Sequence, residues 1–193
     1  MKPQRSLKAR ALRWLAQREQ SRAELRRRLM PHALAEAEAE AAAEAEAEAE
    51  AEAEAEATPA VSVSASLSGQ ASPAARVDAV LDWLEAHRHL SQERFVESRI
   101  QARAPRFGNL RIRHELKQHQ VVLPPHAAQV LRDTELERAR AVRERKFGAP
   151  PANVGERARQ ARFLAGRGFS PDVIGRVLRA SARSTDDDPA GAD

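Results

Sequence analysis

Apolar residues recur along most of the chain at intervals of three and four, which is the spacing of an amphipathic helix. The first such stripe runs from Leu7 to Leu15. A capping box at Ser21–Glu24 predicts the start of a second helix, which we expect to end near Pro31. No segment shows a convincing strand pattern of β-branched residues with alternation. The pattern therefore predicts an all-α protein.

Seven further helical segments are predicted downstream. The clearest start signal is Ser170–Asp172, where a capping serine precedes a proline and an acid. This gives about nine helices in three groups of three, and Arg22–Arg26 echoes Arg113–Lys117 on the second helix of two groups. We expect three tandem three-helix repeats in an elongated, curved stack. The seven segments run through Val77–Leu84, Phe95–Ile100, Ile112–Leu116, Val130–Leu131, Leu136–Val142, Ala158–Ala165 and Val173–Leu178.

A low-complexity insertion interrupts the first repeat. Residues Ala35–Ala57 are alanine and glutamate only, and Thr58–Ala75 is a Pro/Ser/Ala linker. Both tract residues favour helix, but the glutamates repel at four-residue spacing and no apolar face forms. The tract is expected to be a solvated, fraying helix or an extended coil, and the linker to be flexible.

These boundaries define the expected organisation. Residues 1–34 form the first two helices of module one, 35–75 the insertion, 76–90 the third helix of module one, 91–134 module two, 135–183 module three, and 184–193 a disordered acidic tail.

The chain is strongly basic outside the insertion. The chain has a formal net charge of +4, and the tract holds ten glutamates. Without them, 32 Lys and Arg face 18 acidic residues, an excess of 14. Such a balance predicts an acidic partner, either nucleic acid or a protein assembled on it.

The motifs of catalysis and cofactor binding are not found in the sequence. There is no cysteine, no pair of histidines four apart, no glycine-rich phosphate loop and no nucleophile elbow. No apolar run approaches the roughly 20 residues of a membrane helix. We therefore expect no enzyme, metal site, cofactor, small-molecule substrate or membrane contact, and we expect a cytoplasmic monomer.

The arginines are the candidate binding residues. Any one of them is explained as well by solvation as by contact, but the excess of charge favours a binding surface. Arg99 is unusual because it lies four residues after Phe95, on the apolar side of its helix, so that it either extends outward or pairs with an acid. The candidates for contact are Arg103, Arg106, Arg111, Arg113, Lys117, Arg157, Arg159, Arg162 and Arg167.

Five stretches of the chain carry a family resemblance: Arg18–Leu25, Leu90–Phe95, Phe107–Leu116, Arg145–Gly148 and Ala161–Ile174. Taken in order and spacing, they resemble the RecX family of recombination regulators. The resemblance implies three tandem three-helix repeats and a non-enzymatic modulator that binds in the groove of the RecA filament on DNA. It also implies inhibition of the ATPase, strand-exchange and co-protease activities of RecA in the cytoplasm, and so modulation of DNA repair and recombination. The insertion and Arg99 depart from the family pattern.

Two alternatives remain open at this stage. The chain could be a sequence-nonspecific DNA-binding protein that acts without a recombinase, or a scaffold whose basic faces are only solvated. The tract could be a neutral repeat expansion, or an electrostatic brake whose carboxylates compete with the partner for the basic surface.

Overall fold

The computed structural model describes residues 6–55 and 71–183, and within them the side chains of residues 6–50 and 71–179. These ranges hold eight α-helices and no strand, which confirms the all-α prediction. Most of the predicted linker and the predicted acidic tail lie outside the described residues. The helices are α1 Leu7–Leu15, α2 Arg22–Ala55, α3 Pro73–Ala86, α4 Gln92–Arg103, α5 Asn109–Gln118, α6 Pro125–Phe147, α7 Val154–Gly166 and α8 Pro171–Arg183.

The chain divides into two compact units, Met1–Ser91 and Gln92–Asp193. In the first unit α1, α2 and α3 pack on each other around one apolar core. The serine half of the predicted capping box is present, since Oγ of Ser21 accepts the Glu24 amide at 3.1 Å. The fully buried residues of this core are Ala11, Leu25, Leu29, Ala33, Val77, Leu81 and Leu84.

Helix α2 does not end near Pro31, so that expectation was wrong. The helix continues through the proline to Ala55. Proline removes one backbone hydrogen bond and disfavours helix at the preceding residue. Here Leu29 and Ala33 lie on either side of Pro31 and are both fully buried in the core, so tertiary packing holds the helix across it.

The Ala/Glu tract begins as part of the folded unit. Arg76 of α3 donates to Glu40 at 2.7 Å and to Glu36 at 3.3 Å. Residues 41–50 are then exposed on all sides. The tract is therefore helical as far as Ala55, which is one of its two predicted states. The first two turns of the tract pack against α3.

Helix α3 begins earlier than the predicted linker allows. It starts at Pro73, and Oγ of Ser72 accepts the Ala75 amide at 3.3 Å as its N-cap. Serine followed by proline is the same start signal that was read correctly at the beginning of α8.

The second unit contains two apolar cores that share α6. Helices α4 and α5 pack with the first half of α6, and α7 and α8 with its second half. The prediction of two separate helices between Pro125 and Phe147 was wrong, because no glycine or proline interrupts this segment and Leu131 and Ala139 lie on one buried face. Gly148, with φ of 68°, terminates α6.

Candidate anion-binding interface

A buried carboxylate joins three segments of the second unit. Glu135 is only 5% exposed, on the inner face of α6. Its Oε1 accepts the Asn109 backbone amide at 3.0 Å, and its Oε2 accepts the Asn109 side-chain amide at 3.0 Å. It also accepts the backbone amide and the hydroxyl of Ser170, both at 3.3 Å. One side chain thus satisfies donors at the start of α5 and just before α8, where the helix N-termini also favour negative charge.

Asn109 is buried at the start of α5 and also bonds to the backbone of α6. The residue is 4% exposed and is the first helical residue of α5, while Gly108 occupies the N-cap without a side-chain bond. Its Nδ2 also donates to the carbonyl of Leu131 at 3.0 Å. The side chain therefore holds α5 against α6.

Arg138 lies one turn after Glu135 and completes this polar cluster. Its guanidinium donates to Asn109 Oδ1 at 2.6 Å and to the carbonyls of Phe107 and Leu131 at 2.8 and 3.0 Å. Burial lowers the pKa of the Arg138 guanidinium, and the negative charge of Glu135 opposes that shift. The loop between α4 and α5 is thereby held against α6.

Two glycines bring the α4–α5 loop against the α7–α8 loop. The Gly108 amide donates to the carbonyl of Arg167, and the Leu110 amide donates to that of Gly168, each at 3.0 Å. A Cβ at Gly108 would lie 2.2 Å from the Gly168 carbonyl oxygen. Gly168 has φ of 81°, and a Cβ there would lie 2.6 Å from Cβ of Arg111. Only glycine permits this close approach of the two backbones.

Beside the contact between these two loops lies a basic pocket of about 380 Å³. Four cations line it, contributed by the α4–α5 loop, the end of α6 and the end of α7. No Asp or Glu among residues 71–179 lies within 4.0 Å of their charged nitrogens as an ion-pair partner. We call these four residues the basic cluster: Arg106, Arg145, Lys146 and Arg167.

Aromatic rings and a carbonyl hold two residues of the basic cluster, Arg167 and Arg145, in place. The Arg167 guanidinium lies 5.5 Å from the Phe107 ring centroid and 5.1 Å from that of Phe163. The Arg111 guanidinium lies 4.6 Å from the same Phe107 ring. Arg145 donates to the carbonyl of Pro105 at 2.9 Å. These contacts restrict the cations without neutralising them, which prepares the pocket for an anion.

The predicted contact residues divide into several groups. Arg106 and Arg167 line the pocket, and Arg111 lies beside it on Phe107. Arg103 donates to Glu115 at 2.9 Å and is therefore already paired. Arg113 and Lys117 are exposed on α5 and do not line the pocket.

The three predicted arginines of α7 lie elsewhere. Arg159 is 5.5 Å from the Phe147 ring and lines a smaller cavity. Arg157 and Arg162 line an apolar groove between α7 and α8. Sequence reasoning missed Arg145 and Lys146, although the consecutive cations just before a terminating glycine were a usable signal.

The structure shows how Arg99 is accommodated. Its Nη1 donates to Glu115 at 3.2 Å, and its guanidinium lies 5.3 Å from the Phe95 ring. Of the two expectations, pairing with an acid is the one observed. Glu115 is thus shared by Arg99 and Arg103.

Two of the four arginines of α2 form ion pairs with acids of α3 in the first unit. Arg22 donates to Asp82 at 2.7 Å and to Glu85 at 2.8 Å. Arg26 donates to Asp78 at 2.8 Å, and that hydrogen bond lowers the pKa of the Asp78 carboxyl. These pairs make the basic cluster of the second unit the better candidate for an anionic partner.

Other kinds of site find no support among the described residues. No group of three side chains of His, Cys, Asp or Glu is arranged there to hold a metal ion. In the same part of the chain, no helix has the length and apolar character needed to cross a bilayer.

Comparisons with known proteins give a consistent result. Residues 133–178 match the model of the RecX third three-helix domain. The regulatory protein RecX of Leptothrix cholodnii is 42% identical over 97% of this chain and 96% of its own length. That of Ralstonia pickettii is 40% identical over 94% of this chain and 92% of its own, and that of Neisseria gonorrhoeae is 30% identical over 93% of each. The relatives are named as regulatory proteins.

Proposed function

Because the chain belongs to the RecX family of regulatory proteins, we propose that it is a negative regulator of RecA recombinase. The protein binds in the groove of the RecA filament on DNA, in the cytoplasm. It thereby lowers the ATPase, strand-exchange and co-protease activities of the filament, without catalysing a reaction itself.

One observation of this chain supports the proposal beyond family membership. The basic cluster presents four cations in a single pocket, with no acidic partner among the described residues around them. Leaving like charges together is unfavourable unless an anion occupies the site. A filament on DNA offers carboxylates and phosphates in one surface, and arginine binds both in bidentate geometry.

The decisive measurement is the ATPase rate of the cognate RecA filament on single-stranded DNA, titrated with this protein. Inhibition is expected at levels well below one molecule per RecA subunit, since a groove ligand acts on several subunits at once. Unchanged ATPase and strand exchange at saturating protein would refute the proposal.

The basic cluster also favours a second candidate, direct DNA binding through phosphates without RecA. That function requires tight binding to naked DNA with an affinity that falls steeply with salt. If the protein binds naked DNA weakly and the RecA filament tightly, the result supports the regulator. Equal binding in the two cases decides for the DNA-binding protein.

A further inference from the structure

A second surface of the unit 92–193 is mainly apolar, unlike the basic cluster. It is a groove of about 670 Å³ between α7 and α8, lined mainly by apolar side chains. Val154 and Leu110 at this groove are 84% and 52% exposed. Large apolar side chains exposed together in one groove are typical of a surface that another molecule covers.

The wall formed by α7 is a stripe of small apolar residues. Val154, Ala158, Ala161 and Ala165 recur at intervals of four, three and four along α7. The adjacent face of the helix buries Leu164 in the core, and Ala161 of the stripe also packs partly against that core. Val154, Ala158 and Ala165 are exposed, so most of the stripe has no apolar partner within the described residues.

Two arginines border this stripe. At 3.6 residues per turn, Arg157 and Arg162 fall on opposite flanks of it. Arg157 donates to the carbonyl of Leu178 at 3.3 Å, which places its charge at the α8 side of the groove. No acidic residue lines the groove. The surface is thus apolar along its centre and positive at both margins.

We propose that this groove binds an amphipathic helix of a partner protein that carries carboxylates on both sides of an apolar stripe. The short alanine side chains allow the axis of a partner helix to lie about 8–10 Å from the axis of α7. The apolar stripe of the partner fills the groove in the helix-in-groove mode, and its flanking carboxylates meet Arg157 and Arg162. This site is separate from the basic cluster, and its occupant is a folded peptide rather than a phosphate.

The test uses the full chain and a fluorescein-labelled designed peptide of about four helical turns. Leucines at i, i+4, i+7 and i+11 form its apolar stripe, and glutamates flank them. A second peptide has lysines in place of the glutamates. Fluorescence anisotropy is expected to show saturable one-to-one binding of the glutamate peptide and binding about tenfold weaker for the lysine peptide.

Three variants give the test its specificity. Ala158→Glu, at an exposed position of the groove, is expected to weaken binding of the glutamate peptide by about tenfold, whereas Ala141→Glu at an exposed position of α6 leaves it unchanged. Arg162→Glu, an exposed position that needs no repacking, is expected to reverse the preference between the two peptides.

Three results would overturn the proposal: no saturable binding, equal affinity for the two peptides, or an unchanged preference in Arg162→Glu. A concentration-dependent dimer in sedimentation that Ala158→Glu abolishes would also overturn it, because the groove would then be covered by a second copy of the chain.

Discussion

Glu135 of α6 accepts both the backbone amide and the side-chain amide of Asn109, each at 3.0 Å. The two residues are 26 positions apart in the sequence and both are buried. This contact sets the position of the α4–α5 loop, and with it Arg106 and Phe107 of the basic pocket. A carboxylate with no chemical role in binding thus determines the geometry of the binding site.

Glu135→Ala is expected to destabilise the protein by about 3 kcal/mol, because it leaves the amides of Asn109 and Ser170 buried without acceptors. Urea unfolding followed by circular dichroism measures the loss. Glu137→Ala, an exposed position on the same helix, is the matched control and should stay within about 0.5 kcal/mol of the parent. Similar losses for the two variants would show that the carboxylate does not join the helices.

Gly108→Ala is expected to separate the α4–α5 and α7–α8 loops, since the added Cβ would overlap the Gly168 carbonyl. The cost is about 1–3 kcal/mol of unfolding free energy, with a loss of filament binding because the pocket opens. Gly166→Ala is the control, because a Cβ there meets nothing within 4 Å and alanine is the better helix former. Thermal unfolding of both variants checks this, and a tolerated Gly108→Ala would contradict it.

The double variant Arg145→Ala/Arg167→Ala removes half of the basic cluster. We expect about tenfold weaker inhibition of the RecA ATPase, because two charge-assisted hydrogen bonds to the partner are lost. If the pocket binds phosphate, the dependence of log Kd on log salt should fall by about one for each lost contact. Arg140→Ala, an exposed arginine paired with Glu137 on the same helix, should leave both quantities unchanged.

The role of the acidic tract can be tested by a deletion that leaves Glu36 and Glu40 in place. Deleting Ala35–Ala57 would also remove the ion pairs from Glu36 and Glu40 to Arg76. Deleting Ala41–Ala57 removes seven carboxylates and keeps those pairs. For a neutral expansion, filament affinity at low salt is expected to be unchanged and the unfolding free energy to shift by less than about 1 kcal/mol. Tighter filament binding after this deletion would instead support the electrostatic brake.

The pair between Arg26 and Asp78 predicts a pH dependence of stability. The hydrogen bond from Arg26 lowers the pKa of the Asp78 carboxyl below its ordinary value of 3.8. The folded state therefore binds this proton less readily than the unfolded state, and the contribution is present above pH 3.8 and lost as the pH falls below it. Asp78→Asn should remove this part of the acid dependence in urea titrations between about pH 2 and 5 and leave stability at neutral pH only slightly lower.

Much of the secondary structure could be predicted because its signals are local. The stripes around Leu25, Val77 and Ile112 lie in helices where expected, and the start at Pro171 was predicted from its capping residues. The same local rules failed at Pro31, where core packing on both sides outweighed the helix-breaking residue. They also divided α6 in two, although nothing in its sequence breaks it.

The candidate site was only partly predictable. The excess of basic charge, Arg106 and Arg167 were evident from the sequence, but the same reasoning gave equal weight to Arg103, which Glu115 neutralises. Glu135 was missed because its role is to accept the amides of Asn109 and Ser170, which lie far from it in the sequence.

By itself the sequence determined the helices, the basic character outside the tract and the family resemblance, since periodicity, capping and charge are properties of neighbouring residues. Only the tertiary structure decided which cations share a pocket. That outcome depends on the close approach of Gly108 and Gly168 and on the buried Glu135, which bring residues 40 to 60 positions apart within contact distance. Contacts over such separations are set by packing and buried hydrogen bonds, which no local pattern encodes.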